Sequence, residues 1–344
     1  MDNINKDYTI DQEGLARFAK ATVSTSLNFS DLFGALKVRL GINRDNYKIE
    51  PGIYRVGNPN SESDVLVSAN YKLSFDVLRK NLEGLDIWIL VIDTKGVNVW
   101  CAAGKGNFGT NNVIKSIVEN SLSTLVTHRR IILPQLSASG VAAHKVRKFT
   151  DFKPVFGPVQ ARDIKSFIEL GYKATPKMRK IEFPLKERAK LIPVDFLYEK
   201  YKLLIIMAVF FVLSGLGREG YMVSKLISTS LFPMLSIFGG YFSGIVISTL
   251  MLPYIPFRPF ALKGAFWGLL FSVILNLFFD VIYLETISMG LVSISLSSFM
   301  AANFTGSSTF TSQSGVMKEM KWALPFQIGF MFLGLVLFII SKFI

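Results

Sequence analysis

The chain has 344 residues, half of them hydrophobic, with 38 Lys and Arg against 25 Asp and Glu for a net charge of +13. Its one cysteine, Cys101, excludes an internal disulfide, a zinc finger and a protein-bound iron–sulfur cluster, each of which needs several thiolates. Charge is concentrated in residues 1–200, which hold 30 of the basic and 21 of the acidic residues, so a charged domain precedes a membrane-like part.

Met1 to Lys20 is polar and lacks an apolar signal core, which predicts a cytoplasmic soluble domain with its thiol in a reducing compartment. Residues 1–57 carry no usable motif. From there the pattern alternates. Asp64–Ser68 reads as a strand, and Ser74–Leu82 as a helix with Ser74 as N-cap. The apolar run Ile87–Ile92 reads as a buried parallel strand, and Val97–Trp100 as another strand. Thr110 caps an amphipathic helix to about Val126, with Val113, Ile117 and Leu122 on its core side. Ile131–Leu133 and Pro154–Phe156 read as short strands, and Ala161–Leu170 as a helix closed by Gly171. Strands alternating with helices predict an α/β domain with a largely parallel sheet.

Five apolar segments follow, near 202–217, 230–251, 261–280, 283–303 and 323–341, matched to the ~20 residues a helix needs to cross a bilayer. The third and fourth are separated only by the polar cluster around Asp280 and Glu285, which predicts a tight hairpin. Basic residues from Lys177 to Lys202 favour the cytoplasmic side and suit anionic head groups. Lys342, beyond the last segment, runs against that asymmetry. The small residues Gly239, Gly240 and Ser293–Ser298 suit close helix packing better than an ion path. Nucleic acid is an unsuitable partner: the basic residues are scattered and no recognition motif is present.

Cys101 stands in Asn98-Val99-Trp100-Cys101-Ala102-Ala103-Gly104-Lys105-Gly106. A lone cysteine is commonly a small buried hydrophobe, and its neighbours are what argue for chemistry here. Gly104, Gly106 and Gly109 satisfy a G-x-G-x-x-G spacing before a helix. The acid that a dinucleotide ribose needs is missing after Ile131–Leu133, so NAD is not favoured. Lys105 is followed by Gly106 rather than Ser or Thr, so this is no Walker A loop. His128 and His144 have no companion ligands nearby in sequence.

The segment NVWCAAGKG at 98–106, extended by FGT at 108–110, resembles the membrane-anchored corrinoid protein of microbial mercury methylation. VSANYKLSFDVLR at 67–79, LPQLSASGV at 133–141 and VFGPVQARDI at 155–164 add to the resemblance. The same segments are similar to the corrinoid-binding domain of the corrinoid iron–sulfur protein of the acetyl-CoA pathway, which is soluble and carries its own cluster. The resemblance implies a Rossmann-like corrinoid-binding domain with a cap helix over residues 58–195, then an all-α membrane domain of about five transmembrane helices over 196–344. It also implies a helix where the pattern suggested a strand at Val97–Trp100.

The resemblance further implies a cobalamin-type corrinoid whose cobalt is ligated by Cys101 from the lower face. Asn98, Val99, Trp100, Ala102, Ala103, Gly104, Lys105, Gly106, Gly109 and Thr110 would shape that site. A thiolate is a soft anionic donor, Lys105 can favour its deprotonated form, and Ala102, Ala103 and Gly104 let backbone approach a flat ring. Asn98 would hydrogen-bond the sulfur or a corrin amide. Trp100 would either cover the ring or pack in the core. The implied activity is corrinoid-dependent methyl transfer to Hg(II), forming methylmercury by way of methyl-cobalt. The implied partners are a ferredoxin-like iron–sulfur electron donor, an upstream methyl donor of folate-linked type, and the cytoplasmic membrane. A membrane-bound corrinoid methyl carrier for another acceptor in one-carbon metabolism is the alternative, and a transporter with a regulatory domain ranks third.

Overall fold

The computed structural model describes residues 19–304 and 313–344. The chain divides into two compact units, one ending at Ile181 and the other running from Glu182 to Ile344 with residues 39–41.

The first unit is built on a mixed six-stranded sheet. Its strands are β1 (Ala21–Thr22), β2 (Gly52–Val56), β3 (Val65–Ala69), β4 (Ile87–Ile92), β5 (Arg130–Leu133) and β6 (Lys153–Phe156), in the order β1-β2-β4-β3-β5-β6. Its helices are α1 (Phe29–Arg39), α2 (Lys72–Lys80), α3 (Val99–Lys105), α4 (Thr110–Glu119), α5 (Leu122–Leu125), α6 (Ala143–Thr150) and α7 (Ile164–Glu169). The expectation of a largely parallel sheet holds for the pairs β3–β4, β3–β5, β5–β6 and β1–β2, while β2 runs antiparallel to β4.

All six residues of β4 and all five of β3 are buried, because helices cover both faces of the sheet. The two-residue period sorts them. Val65, Val67, Trp88, Leu90, Ile92, Ile131 and Leu133 share a core with Ala102, Ala103 and Phe108, and with Val113 and Ile117 of α4. Leu66, Ile87, Ile89, Val91 and Ile132 face the opposite core, with Phe75 of α2 and Phe167 of α7.

Several local readings need correction. Residues 99–105 form a helix, as the resemblance implied, and not the strand ending at Trp100 that pattern alone suggested; a short apolar run fits either period. The helix expected to reach Val126 stops at Glu119, because Ser121 turns left-handed at φ 48°, and α5 is a separate short turn. The cap position of α4 is Gly109 rather than Thr110, and α2 starts at Lys72, ahead of Ser74.

The second unit is mainly helical, with a small hairpin of β7 (Leu216–Gly217) and β8 (Gly220–Tyr221). After α8 (Leu185–Ala189) and α9 (Ile192–Tyr198) come α10 (Lys200–Leu213), α11 (Leu226–Phe242), α12 (Phe260–Asn276), α13 (Tyr283–Phe304) and α14 (Gln313–Ser341). Among the described residues, three helical stretches are long and apolar enough to cross a membrane: Val223–Leu250, Tyr283–Phe304 and Gly315–Ser341. The other two expected spans fall short. α10 has 14 residues and α12 has 17, about 21 and 26 Å at ~1.5 Å per residue against a ~30 Å hydrocarbon core. α10 stops where Ser214 bonds back to Phe210 and Gly217 enters the hairpin.

The expected α12–α13 hairpin is present, closed by Thr286 Oγ1 donating to Asn276 Oδ1 at 3.0 Å. Small residues let these helices meet. Ser297 and Ser293 on α13 donate to the carbonyls of Gly264 and Gly268 on α12 at 2.7 and 3.2 Å. A Cβ on Gly240 of α11 would lie 2.8 Å from Ser293. Lys342 pairs with Glu285 at 3.0 Å, both largely buried, so the charge that ran against the loop asymmetry has a partner.

Candidate functional site

The strand order reverses at β3, with β4 on one side and β5 on the other. In open α/β sheets the crevice at such a switch point, beyond the carboxyl ends of the strands, is where ligands bind. Here that edge carries the segment from Asp93 to Thr110 after β4 and the turn Gln135–Ser137 after β5, which packs against α3.

A buried asparagine fixes the turn that launches α3. Asn70 directly follows β3, and its Oδ1 accepts the N–H groups of Thr94 and Gly96, each at 3.0 Å. Its Nδ2 donates to Asp93 at 3.0 Å. The Thr94 hydroxyl, fully buried, sits between Asn70 Oδ1 at 2.9 Å and the Val97 carbonyl at 2.7 Å. Lys95 and Gly96 take left-handed backbone at φ 59° and 74°, a turn held by side-chain bonds rather than by the ladder.

Asn98 then caps α3. Its Oδ1 accepts the Cys101 N–H at 2.9 Å, so this oxygen serves the helix start rather than the sulfur. Along α3, Ala102 and Ala103 are buried in the core, while Gly104, Lys105 and Gly106 are exposed. Cys101, Val99 and Trp100 are half-buried. Lys105 lies one helical turn beyond Cys101, on the same side of the helix. Gly106 ends the helix at φ 81°, the left-handed C-terminal position that glycine fills without strain.

The segment is clamped at its far end. Phe108 is fully buried, and its N–H donates to Ala102. The Thr110 N–H donates to the Gly140 carbonyl at 3.2 Å, and the Thr110 hydroxyl accepts the Ala142 N–H at 2.9 Å. A Cβ on Gly140 would lie 2.6 Å from the Phe108 carbonyl oxygen and 3.1 Å from that of Ala103. Thus Asn70, Thr94 and Gly140, which motif reasoning did not place in the site, position α3. Asn70 and Gly140 lie in the additional segments 67–79 and 133–141 that accompanied the cysteine motif; Thr94 lies in neither.

The donor set limits what Cys101 can hold. Among the described residues no group of three or more His, Cys, Asp and Glu side chains converges to bind a metal. A lone sulfur on a half-open face suits a metal that brings its other ligands in its own ring. His128 is engaged elsewhere: Nε2 lies 2.9 Å from the Ser63 carbonyl, and Nδ1 accepts the Arg130 N–H at 3.3 Å.

Comparison with known proteins agrees on the first unit. Residues 4–168, just under half of the chain, match the family described as the CO dehydrogenase/acetyl-CoA synthase delta subunit. Subunit gamma of the acetyl-CoA decarbonylase/synthase complex from Methanocaldococcus jannaschii is 34% identical over 138 residues, covering 39% of this chain and 28% of that one. The Methanopyrus kandleri subunit gamma is 32% identical over 129 residues, covering 37% and 27%. The Archaeoglobus fulgidus subunit gamma is 24% identical over 179 residues, covering 50% and 38%. The α/β unit is therefore a domain related to these subunits, and the chain spans well under half of their length.

Proposed function

We propose that this chain is a corrinoid-dependent methyl-transfer protein of the membrane, in which Cys101 would hold the cobalt and Hg(II) would be the methyl acceptor. The observation that carries the reading is the half-exposed Cys101 on a short, doubly anchored helix with no companion ligands converging among the described residues. A corrinoid supplies its own ring of four nitrogens, so one protein donor suffices, and when bound it supplies the cobalt chemistry that accepts and releases a methyl group.

The chain's own residues would do the following. Cys101 gives a soft anionic sulfur, which raises electron density on the metal. Lys105, one turn along and exposed, places a positive charge on the same side of the helix as the sulfur. Asn98, Asn70 and Gly140 hold α3 so that the sulfur is presented by a fixed backbone. Gly104 and Gly106 keep the exposed side of the helix free of bulk, so that a flat ring can approach, with Val99, Trp100, Gly109 and Thr110 completing its support. The chain's single cysteine cannot hold a cluster, and the resemblance implies that reducing electrons would come from an iron–sulfur partner of ferredoxin type.

The choice of Hg(II) rests on the NVWCAAGKG motif joined to apolar helices. The acetyl-CoA decarbonylase/synthase relatives favour a second reading, a methyl carrier for another acceptor in one-carbon metabolism. Cobalt content of the purified protein and methylmercury formation with an iron–sulfur partner test the two. We expect Cys101→Ala to abolish methylmercury formation while the chain still folds and inserts. Unchanged activity in that variant would remove the thiolate from the mechanism, and cobalt-loaded protein that never methylates mercury would select the second reading.

A further inference from the structure

Helix α1 is amphipathic in the inverted sense. Its inward side is held by charge, by the buried Val38 and by the absence of a side chain at Gly34. Asp31 receives Lys72 Nζ and Arg79 Nη2, each at 2.6 Å. Those two cations also bind the buried Asp76, at 2.6 and 2.8 Å. Gly34 lies against Tyr47, whose hydroxyl would sit 2.5 Å and ring carbons 2.9–3.0 Å from any Cβ placed there. The start of the helix is tied twice over, by Asn28 Oδ1 accepting the Asp31 N–H and by the Asp31 carboxylate accepting the Asn28 N–H.

The outward side is apolar. Phe29, Leu32, Phe33 and Leu36 fall at i, i+3, i+4 and i+7, one stripe of a helix, and are 80, 56, 46 and 52% exposed. Phe29 and Phe33 stack at 5.9 Å, and the Lys37 ammonium covers the edge of the stripe, 4.5 Å from the Phe33 ring centre. An ordinary surface helix of a domain buries such a stripe and shows its ions to water. Here the acid of the helix faces the domain, and among the described residues nothing buries the stripe.

We propose that α1 is an interfacial helix whose Phe29–Leu36 stripe lies in the head-group boundary of an anionic bilayer. Three observations favour lipid as the occupant. The same chain carries helices long and apolar enough to span a membrane, so on the proposed membrane reading, on which this inference rests, a bilayer is near. The cations bordering the stripe, Lys37 and Arg39 with Arg44 in the turn beyond, outnumber the exposed Asp45, and the helix's own acid is neutralised on the inward side. Aromatic residues with a basic flank are the composition of helices that lie in the interface plane, sunk roughly 5–10 Å.

The test uses the full chain in nanodiscs containing phosphatidylglycerol, with and without brominated acyl chains. Phe33→Trp places an indole on the stripe, and the unsubstituted chain is subtracted to remove its own tryptophans. The added indole should lose roughly half or more of its emission to bromine. Adding Leu36→Glu should reverse that loss with no change in melting temperature, since Leu36 is outside the core. Leu36→Trp gives an independent reading if Phe33→Trp is poorly folded. An added indole whose emission is insensitive to bromine, whether water-exposed or shielded by a second protein, would overturn the proposal.

Discussion

The hold of Gly140 on the cysteine helix gives the sharpest prediction. Gly140 does not adopt positive φ, so alanine is strained there by space alone. Its Cβ would meet Phe108 oxygen at 2.6 Å and Ala103 oxygen at 3.1 Å, both backbone atoms that no rotamer change can move. Restoring an ordinary 3.4 Å contact means opening the gap by about 0.8 Å, against the Thr110 N–H bond to the Gly140 carbonyl. Overpacking of this kind costs about 1–3 kcal/mol, and weakening the bond adds about 1 kcal/mol. Gly140→Ala should therefore lower the local stability of residues 98–110 by about 2–4 kcal/mol, or roughly 30–700-fold in amide exchange rate. Gly106→Ala is the control: its Cβ would enter open space, so only the φ 81° backbone penalises it, by about 1 kcal/mol. Hydrogen exchange on the full chain in nanodiscs measures both. If Gly140→Ala exchanges within about threefold of wild type while Gly106→Ala is the worse of the two, close packing is not what holds α3.

Two further outcomes follow from single groups. Asn98→Ala removes the acceptor of the Cys101 N–H and should cost about 0.5–2 kcal/mol of α3 stability, whereas Asn98→Asp keeps a cap oxygen and should restore most of it; exchange at Cys101 and Ala102 reads the difference. Burial works to raise the Asp31 pKa, but bonds from Lys72, the Asn28 N–H and Arg79 outweigh it and hold the group at about 2. A depressed carboxyl stabilises the fold above its unfolded pKa of 3.8 and loses that contribution as pH falls toward about 2. Discounted for solvent screening, the loss is about 1–2 kcal/mol. Exchange protection of α1 should drop between pH 5 and 2, and Asp31→Asn should flatten that dependence.

Much of the α/β unit was legible because its strands carry the period-2 signal without competition. Ile87–Ile92 could be read directly, since six consecutive apolar residues fit a strand buried on both faces. Legibility failed where local chemistry overrides periodicity. Val97–Trp100 has strand composition, yet Asn98 caps a helix there, and the turn before it is held by Asn70, some 25 residues upstream. The break at Ser121 is a left-handed turn within otherwise continuous helical spacing. In the apolar half, hydropathy located every segment but not its length: α10 and α12 end where polar and glycine residues close turns, and hydropathy windows average across such ends. The inverted face of α1 was unreadable because its apolar spacing is that of a helix facing its own core; only the tertiary ion pairs of Asp31 show otherwise.

The architecture also bears on why one cysteine is enough. A site that held a bare metal ion would need three or four converging ligands, and the described residues bring no such group together. One sulfur can instead tune a metal already held in a ring, provided the backbone that carries it does not move. Here that rigidity comes from both ends of a seven-residue helix too short to be stable alone: Asn70 and Asn98 fix its start, and Phe108, Thr110 and Gly140 fix its exit. On the proposed reading, a thiolate committed to cobalt is not free to bind mercury, so delivery of Hg(II) falls to partner thiols and that of electrons to the partner's iron–sulfur centre. Such a division predicts that Cys101→Ala cannot be rescued by added small thiols, because they can supply mercury as a substrate but not a sulfur fixed to α3.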